Sequence, residues 1–132
     1  MVTGADTGFF VELAKGNSTV KDIWNKVCNG DDDLVISVIS LNEIVVYFYR
    51  KGNIEEKDNL INLLKSMPNI ELVPVSAKIA EESAKYKRSL GIPTTDSLIL
   101  TTFILQGCKE IISTDKHFKK AEEQNLIKVK LL

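Results

Sequence analysis

The stretch Leu34-Val-Ile-Ser-Val-Ile-Ser-Leu-Asn-Glu43 runs from an apolar segment directly into a helix-start motif. The β-branched run Leu34–Val38 is typical of a buried strand. Ser40, followed by Glu43 three residues later, matches a capping box and predicts a helix over Leu41–Lys51 with Ser40 as its N-cap. The β-branched and aromatic residues of this predicted helix would by themselves favour a strand, and that alternative stays open.

The same change from strand to helix recurs along the rest of the chain. Further strands are predicted at Val2–Ala5, Ile70–Val75, Glu110–Ser113 and Ile127–Leu131. Further helices are predicted at Phe9–Ala14, Ser18–Cys28, Ile54–Ser66, Ser76–Leu90, Asp96–Gln106 and Lys116–Glu123. Ser18 and either Thr94 or Thr95 are predicted N-caps. Alternating strands and helices predict an α/β fold of three layers, in which a parallel sheet of about five strands is covered by helices on both faces.

Composition is that of an ordinary globular protein. The 132 residues suffice for one domain, spanning 1–132, with a sizeable core. Hydrophobic residues make up 44% and charged residues 27%, and the net charge of -1 neither indicates nor excludes a nucleic-acid partner. The N-terminus has no signal-peptide pattern and no apolar run reaches the roughly 18 residues of a membrane span, so we expect a cytoplasmic protein.

The small number of histidines and cysteines limits the chemistry available. Cys28 and Cys108 lie in apolar helical contexts without metal-ligand spacing, and we expect two buried free thiols rather than a disulfide. The lone histidine, His117, excludes a two-histidine mechanism. It is predicted to be a surface residue on a short helix, with substrate contact as the alternative. Carboxylate chemistry is what the chain can best support.

Carboxylates recur where an apolar stretch gives way to a helix start. They are Asp6, Glu43, Asp96 and Asp115. Each alone has a structural explanation as an Asx-turn, a capping-box partner, a first-turn acid or an N-cap. In a parallel sheet, however, such positions meet at one edge. Each ionised pair about 5 Å apart would then cost roughly 3 kcal/mol at an effective dielectric near 20. Together the four acids predict a site that needs either a divalent cation or protonation.

At these residues the chain resembles the PIN-domain family of metal-dependent ribonucleases, in particular the small single-domain toxins of the VapC type. The order and spacing of several motifs, rather than any one of them, carry the resemblance. They are Asp6-Thr7, Ser40 to Glu43, Thr94-Thr95-Asp96-Ser97-Leu98-Ile99, and Ile111-Ile112-Ser113-Thr114-Asp115 with Phe118.

This resemblance implies a strand order of 3-2-1-4-5 and a catalytic site that binds Mg²⁺ or Mn²⁺ and hydrolyses RNA. Asp6, Glu43 and Asp96 would be the principal ligands, and Asp115 would hold a second ion or a water. The hydroxyls of Thr7 and Ser113 would support the acids. A VapC-type toxin would also have a cognate antitoxin as its partner.

Two positions depart from the family pattern. Gly8 stands where the family more often has Asn or Ser, which predicts a missing hydrogen bond. Ser113 replaces the commoner Thr and keeps the hydroxyl. Neither departure removes an acid, and we expect an active site.

Basic and apolar segments predict the partners. RNA needs cationic contacts, and the residues that follow Asp115 are the best placed to supply them. They are Lys116, Lys119 and Lys120. The apolar segments Leu41–Lys51 and Leu98–Leu105 predict a homodimer.

Other functions stay open from the sequence. The same fold could serve an RNA-processing nuclease outside toxin–antitoxin systems, or a non-catalytic module that binds RNA or protein. A phosphoryl-accepting receiver domain is disfavoured, because Asp6 stands alone at the end of its strand and no central phosphorylatable Asp is present.

Overall fold

A parallel sheet of five strands, in the order 3-2-1-4-5, forms the centre of the protein in the computed structural model, which describes residues 1–132. The strands are β1 (Val2–Ala5), β2 (Asp33–Ser37), β3 (Ile70–Val73), β4 (Glu110–Ser113) and β5 (Lys128–Leu131). β1 lies in the middle and pairs in parallel with β2 and β4, so the carboxyl ends of all three strands lie at one edge. The predicted fold class and strand order are confirmed.

Helices connect successive strands and cover the sheet. They are α1 (Thr7–Ala14), α2 (Ser18–Cys28), α3 (Val38–Lys51), α4 (Ile54–Ser66), α5 (Ala77–Leu90), α6 (Thr94–Leu105) and α7 (Lys119–Glu123), with a 3₁₀ turn at Lys116–Phe118 before the last. None of these helices combines the length and apolarity that a bilayer-spanning segment needs.

Two separate hydrophobic cores lie on opposite faces of the sheet. Alternate residues of a strand point to opposite faces, and β2 divides its side chains accordingly: Leu34 and Ile36 belong to one core and Val35 to the other. β4 does the same with Ile111 and Ile112. The first core packs against α1 to α4 and the second against α5 to α7. The predicted three layers are therefore present.

Gly4 allows α6 to pack closely on the central strand. A Cβ atom at this position would lie 2.6 Å from Cγ of Phe103, a ring with no exposed surface. Real side chains do not tolerate such a distance without a shift of the ring or the strand. The glycine therefore sets how near α6, and with it Asp96, can come to the sheet.

The predicted capping box at Ser40 is wrong. α3 begins three residues earlier, and its N-cap is Ser37, whose hydroxyl accepts a hydrogen bond from the Ile39 N–H. Ser37 ends β2 and is paired with Val73 of β3, so the strand passes into the helix without a loop. Glu43 consequently lies in the second turn of α3 and is available for contacts outside the helix.

Several other predicted boundaries move by one or two residues. The N-cap of α2 is Asn17 rather than Ser18. α6 is preceded by Pro93, and neither Thr94 nor Thr95 caps it. β3 stops before Pro74, which has no N–H to continue the ladder.

The remaining shifts are β2 spanning Asp33–Ser37 rather than Leu34–Val38, α1 starting at Thr7 rather than Phe9, α5 starting at Ala77 rather than Ser76, α6 spanning Thr94–Leu105 rather than Asp96–Gln106, β5 starting at Lys128 rather than Ile127, and the split of the predicted helix Lys116–Glu123 into the 3₁₀ turn and α7.

The apolar surface is smaller than the sequence predicted. The α6 run Leu98–Leu105 is largely absorbed by the core, where Leu100 and Phe103 have no exposed surface. On α3, Val46 and Tyr49 remain exposed, and the homodimer stays a prediction that depends on them. Cys108 is buried as predicted, whereas Cys28 is exposed at the end of α2, and both cysteines are free.

Replacing Gly4 with Ala should lower the free energy of unfolding by roughly 1–3 kcal/mol, because the new methyl overpacks the contact with Phe103. Phe103→Leu should destabilise on its own through the cavity it leaves, yet cost less in the Gly4→Ala background. Urea denaturation of the four proteins in this cycle measures the coupling. Strictly additive losses would contradict the close approach of α6 to β1.

Candidate active site

Asp6 is a buried carboxylate at the carboxyl end of the central strand. It is the N-cap of α1 and accepts a hydrogen bond from the Phe9 N–H at 3.4 Å. The Ser113 hydroxyl donates to its other oxygen. Only 6% of Asp6 is exposed, and burial raises its pKa from 3.8 to about 6 in spite of these two hydrogen bonds. The site therefore leaves part of the cost of burying this charge uncompensated.

Ser113 joins the ends of β1 and β4. Its fully buried hydroxyl donates to Asp6 and accepts from the Asp115 N–H at 2.8 Å. Because β1 and β4 are adjacent parallel strands, this one side chain can reach both acids. Ser113 was expected to support the acids. Its one hydroxyl contacts both the carboxylate of Asp6 and the backbone N–H of Asp115.

His117 connects Asp115 to Asp96. Nδ1 of its ring lies 2.8 Å from Oδ1 of Asp115 and 2.9 Å from Oδ2 of Asp96. Asp96 sits in the first turn of α6, with its side chain 13% exposed. Burial and, secondly, the charge of Asp115 raise the pKa of Asp96 to about 6. Asp6, Ser113, Asp115, His117 and Asp96 thereby form one continuous chain of polar contacts, the acid network.

Glu43 reaches the same place from α3. Its Oε1 accepts a hydrogen bond of 2.8 Å from the hydroxyl of Thr7, the residue that follows Asp6. The side chain of Glu43 is otherwise exposed and has no other protein hydrogen bond. Thr7 therefore fixes one carboxylate oxygen and leaves the other free toward the solvent.

The four predicted acids line one cleft of about 460 Å³. Thr7 lines it as well, and Ser113 lies buried beside it. A fifth acid, Glu12, adds to the negative charge, and Lys15 is the only cationic side chain in the lining. Charges gathered at this density repel one another and are stabilised by a cation or by protons. The geometric prediction that distant acids meet at one sheet edge is correct.

Sequence reasoning missed four residues of this region. Glu12, Lys15 and Thr114 line the cleft, and His117 bridges two acids. Glu12 and Lys15 follow Gly8 by four and seven residues on α1 and its C-cap, so the helix period could have indicated them. His117 is a surface residue on a short helical turn, as predicted, but its ring also contacts Asp96 and Asp115, which the sequence did not indicate.

Gly8 is explained by its neighbour Thr114. A Cβ atom at position 8 would stand 2.1 Å from the Thr114 hydroxyl and 3.0 Å from the Thr114 backbone nitrogen. The hydroxyl of Thr114 thus occupies the space that a side chain at position 8 would need. The chain still presents a hydroxyl at this wall of the cleft, although it comes from the end of β4.

The predicted RNA-contacting lysines, Lys116, Lys119 and Lys120, are not in the lining of the cleft. Lys116 and Lys120 are exposed. The Nζ atom of Lys119 is hydrogen-bonded to Glu122 at 2.8 Å and to the Val129 carbonyl at 3.2 Å, toward β5. Lys119 is therefore engaged within the protein.

The donor set fits a divalent cation. Carboxylate oxygens are the hard ligands that Mg²⁺ and Mn²⁺ prefer. One ligand atom from each of Asp96, Asp115 and His117 lies within 4.8 Å of the others. The raised pKa values of Asp6 and Asp96 are the mark of carboxylates that lack a compensating positive charge.

Three solved structures of toxin–antitoxin proteins are similar in fold. VapBC2 of Rickettsia felis, bound to a DNA fragment from its promoter, has 16% sequence identity and a TM-score of 0.75 over 100% of this chain and 99% of that one. VapBC-1 of nontypeable Haemophilus influenzae has 20% identity and a TM-score of 0.72 over 99% and 98%. VapC20 of Mycobacterium tuberculosis, a sarcin–ricin loop cleaving toxin, has 15% identity and a TM-score of 0.70 over 90% and 94%.

Because these structures share only 15–20% sequence identity with this chain, their similarity establishes the fold alone. No curated protein matches the sequence. The family model of the PIN domain matches residues 5–124, a range that includes every acid of the cleft. This match covers most of the chain, and the protein therefore belongs to the PIN domain family.

Proposed function

We propose that this PIN domain is a ribonuclease that hydrolyses RNA phosphodiester bonds with Mg²⁺ or Mn²⁺ bound in the acidic cleft. One observation carries the proposal. Two acids that directly follow β1 and β4 and two acids on α3 and α6 all line the same cleft. A cleft of that charge disfavours an anionic substrate unless a cation is bound there. Membership of the PIN family and the likeness to VapC toxins support nuclease activity.

The four acids have different parts in this proposal. The Ser113 hydroxyl positions Asp6, the backbone N–H of His117 positions Asp115, and the His117 ring contacts Asp96. These three acids would hold the cation. A bound divalent ion supplies charge neutralisation at the phosphate and a water of lowered pKa. Glu43 keeps one oxygen on Thr7, while its second oxygen can accept a proton from the attacking water. Ser113 and Thr7 are positioning residues.

Cationic side chains around the cleft are proposed to hold the RNA backbone. Lys15 lines the cleft on the α1 side. Lys116 and Lys120 are exposed one and five residues after Asp115. Lys119 has a weaker case because Glu122 and the Val129 carbonyl occupy its ammonium group.

We further propose that the protein is the toxin of a toxin–antitoxin pair, with a cognate antitoxin as its protein partner and cytoplasmic RNA as its substrate. The support is the similarity, over nearly the full length of each chain, to VapBC proteins solved as toxin–antitoxin systems.

Asp6→Asn and Asp96→Asn should each reduce Mn²⁺-dependent RNA cleavage by at least about 100-fold while leaving the circular dichroism spectrum unchanged, because each removes a charged ligand. Total cellular RNA, followed by mapping of new ends, serves as the substrate. Asp22→Asn is the matched control, since Asp22 is an exposed acid of α2 outside the cleft. Cleavage by either site variant at the wild-type rate would refute the assignment.

In metal-free protein, Asp6→Asn should stabilise the fold increasingly as pH rises. Burial raises the pKa of Asp6 from 3.8 to about 6, so the native chain holds a proton that the unfolded chain has released. Native stability is therefore full below about pH 4 and falls as pH rises through about 6. A shift of about 2 units is worth roughly 3 kcal/mol.

Urea denaturation in EDTA measures this effect as the difference in unfolding free energy between Asp6→Asn and wild type. The difference should grow by about 1–3 kcal/mol between pH 4 and pH 7.5. Asp22→Asn, a change at an exposed acid outside the cleft, is measured in parallel as the control. A pH-independent difference for Asp6→Asn would mean that the buried carboxylate costs the fold nothing.

Induced expression of the wild-type chain in a bacterial host should arrest growth, and expression of Asp96→Asn should not. Co-expression of the small open reading frame next to the gene should restore growth, and its product should co-purify with the chain. If the purified protein cleaves RNA but its expression leaves growth unaffected, the toxin role fails and an RNA-processing role replaces it.

A further inference from the structure

His117 is the one histidine of the chain, and its ring lies inside the acid network. The ring position is set by the backbone. The N–H of His117 donates to Oδ1 of Asp115 at 2.9 Å, and the next residue, Phe118, is buried in the core. The 3₁₀ turn between these anchors directs the imidazole toward Asp96. At 49% exposure the side chain is also reachable from the solvent.

The distances around Nδ1 suit a metal ion as well as a hydrogen bond. Nδ1 lies 2.8 Å and 2.9 Å from one oxygen of Asp115 and one of Asp96. Neighbouring ligands of an octahedral ion with bonds of 2.0–2.1 Å are about 3 Å apart. Nδ1 is therefore spaced from each of the two oxygens as neighbouring ligands of one ion would be, and ligand atoms of the three residues all lie within 4.8 Å of one another.

We propose that Nδ1 of His117 is a ligand of the divalent ion and makes the site favour Mn²⁺ over Mg²⁺. This inference rests on the proposed metal-dependent function and extends it to the choice of ion. An imidazole nitrogen is a softer ligand than a carboxylate oxygen, and it binds first-row transition ions well and Mg²⁺ poorly. A site of carboxylates alone has no such ligand. The histidine adds a preference that the four acids cannot supply.

The presence of a single histidine makes the ligand directly observable. In tag-free wild-type protein loaded with Mn²⁺, electron spin echo envelope modulation should report the ¹⁴N coupling of a bound imidazole. That coupling can come only from His117. It should disappear in His117→Ala and in His117→Gln, and both variants should keep the wild-type circular dichroism spectrum because the side chain is half exposed.

Calorimetric titration distinguishes a loss of preference for Mn²⁺ from a general change in metal affinity that an altered charge would cause. His117→Ala should weaken Mn²⁺ binding at least about tenfold and Mg²⁺ binding by less than about threefold. Lys116→Ala is the matched control. It removes an exposed cationic side chain from the same 3₁₀ turn and should alter the two affinities by the same small factor.

The outcomes distinguish this inference from the function on which it rests. If wild-type protein binds Mn²⁺, loses it in Asp96→Asn and yet lacks the ¹⁴N coupling, the histidine is not a ligand while the acidic metal site stands. Equal loss of Mn²⁺ and Mg²⁺ affinity in His117→Ala would also overturn the inference. If Mn²⁺ binding is absent or insensitive to Asp96→Asn, the proposed function itself fails.

Discussion

The hydrogen bond from Ser113 to Asp6 ties together the ends of the two strands at the centre of the sheet. It holds a carboxylate where almost no water reaches it, and the pKa of Asp6 rises to about 6 because the compensation is incomplete. Asp96 carries a similar cost close by. Burying these carboxylates is unfavourable, and the rest of the protein must supply the stability that offsets that cost. A bound divalent cation would reduce it by favouring the charged carboxylates.

Two closely packed cores provide that stability. The central strands β1, β2 and β4 are largely buried on both faces, and Gly4 lets the Phe103 ring of α6 lie directly on β1. This contact matters for the site as well as for the core, because Asp96 stands in the first turn of the same helix. A helix held farther from the sheet would withdraw Asp96 from His117. Packing at one end of α6 and electrostatics at the other are therefore linked.

Local signals in the sequence predicted the architecture and the four acids, because strand ends and helix starts are encoded by neighbouring residues. Neighbouring residues do not determine whether Ser37 or Ser40 caps α3. It depends on how far β2 pairs with β3, and Ser37 is still paired with Val73. The contacts of Glu43 with Thr7 and of His117 with Asp96 are likewise tertiary. No spacing along the chain reveals them before the fold brings the partners together.

The region around Asp115 shows how one short segment can supply several functions of a site. Ser113 orients the buried acid, Thr114 fills the space left open by Gly8, and Asp115 caps the turn that presents His117. Each of these depends on the exit of β4 beside β1, since only adjacent parallel strands bring their ends this close. If His117 binds the ion as proposed, a nitrogen ligand placed two residues after an existing acid would alter the metal preference without any new structural element.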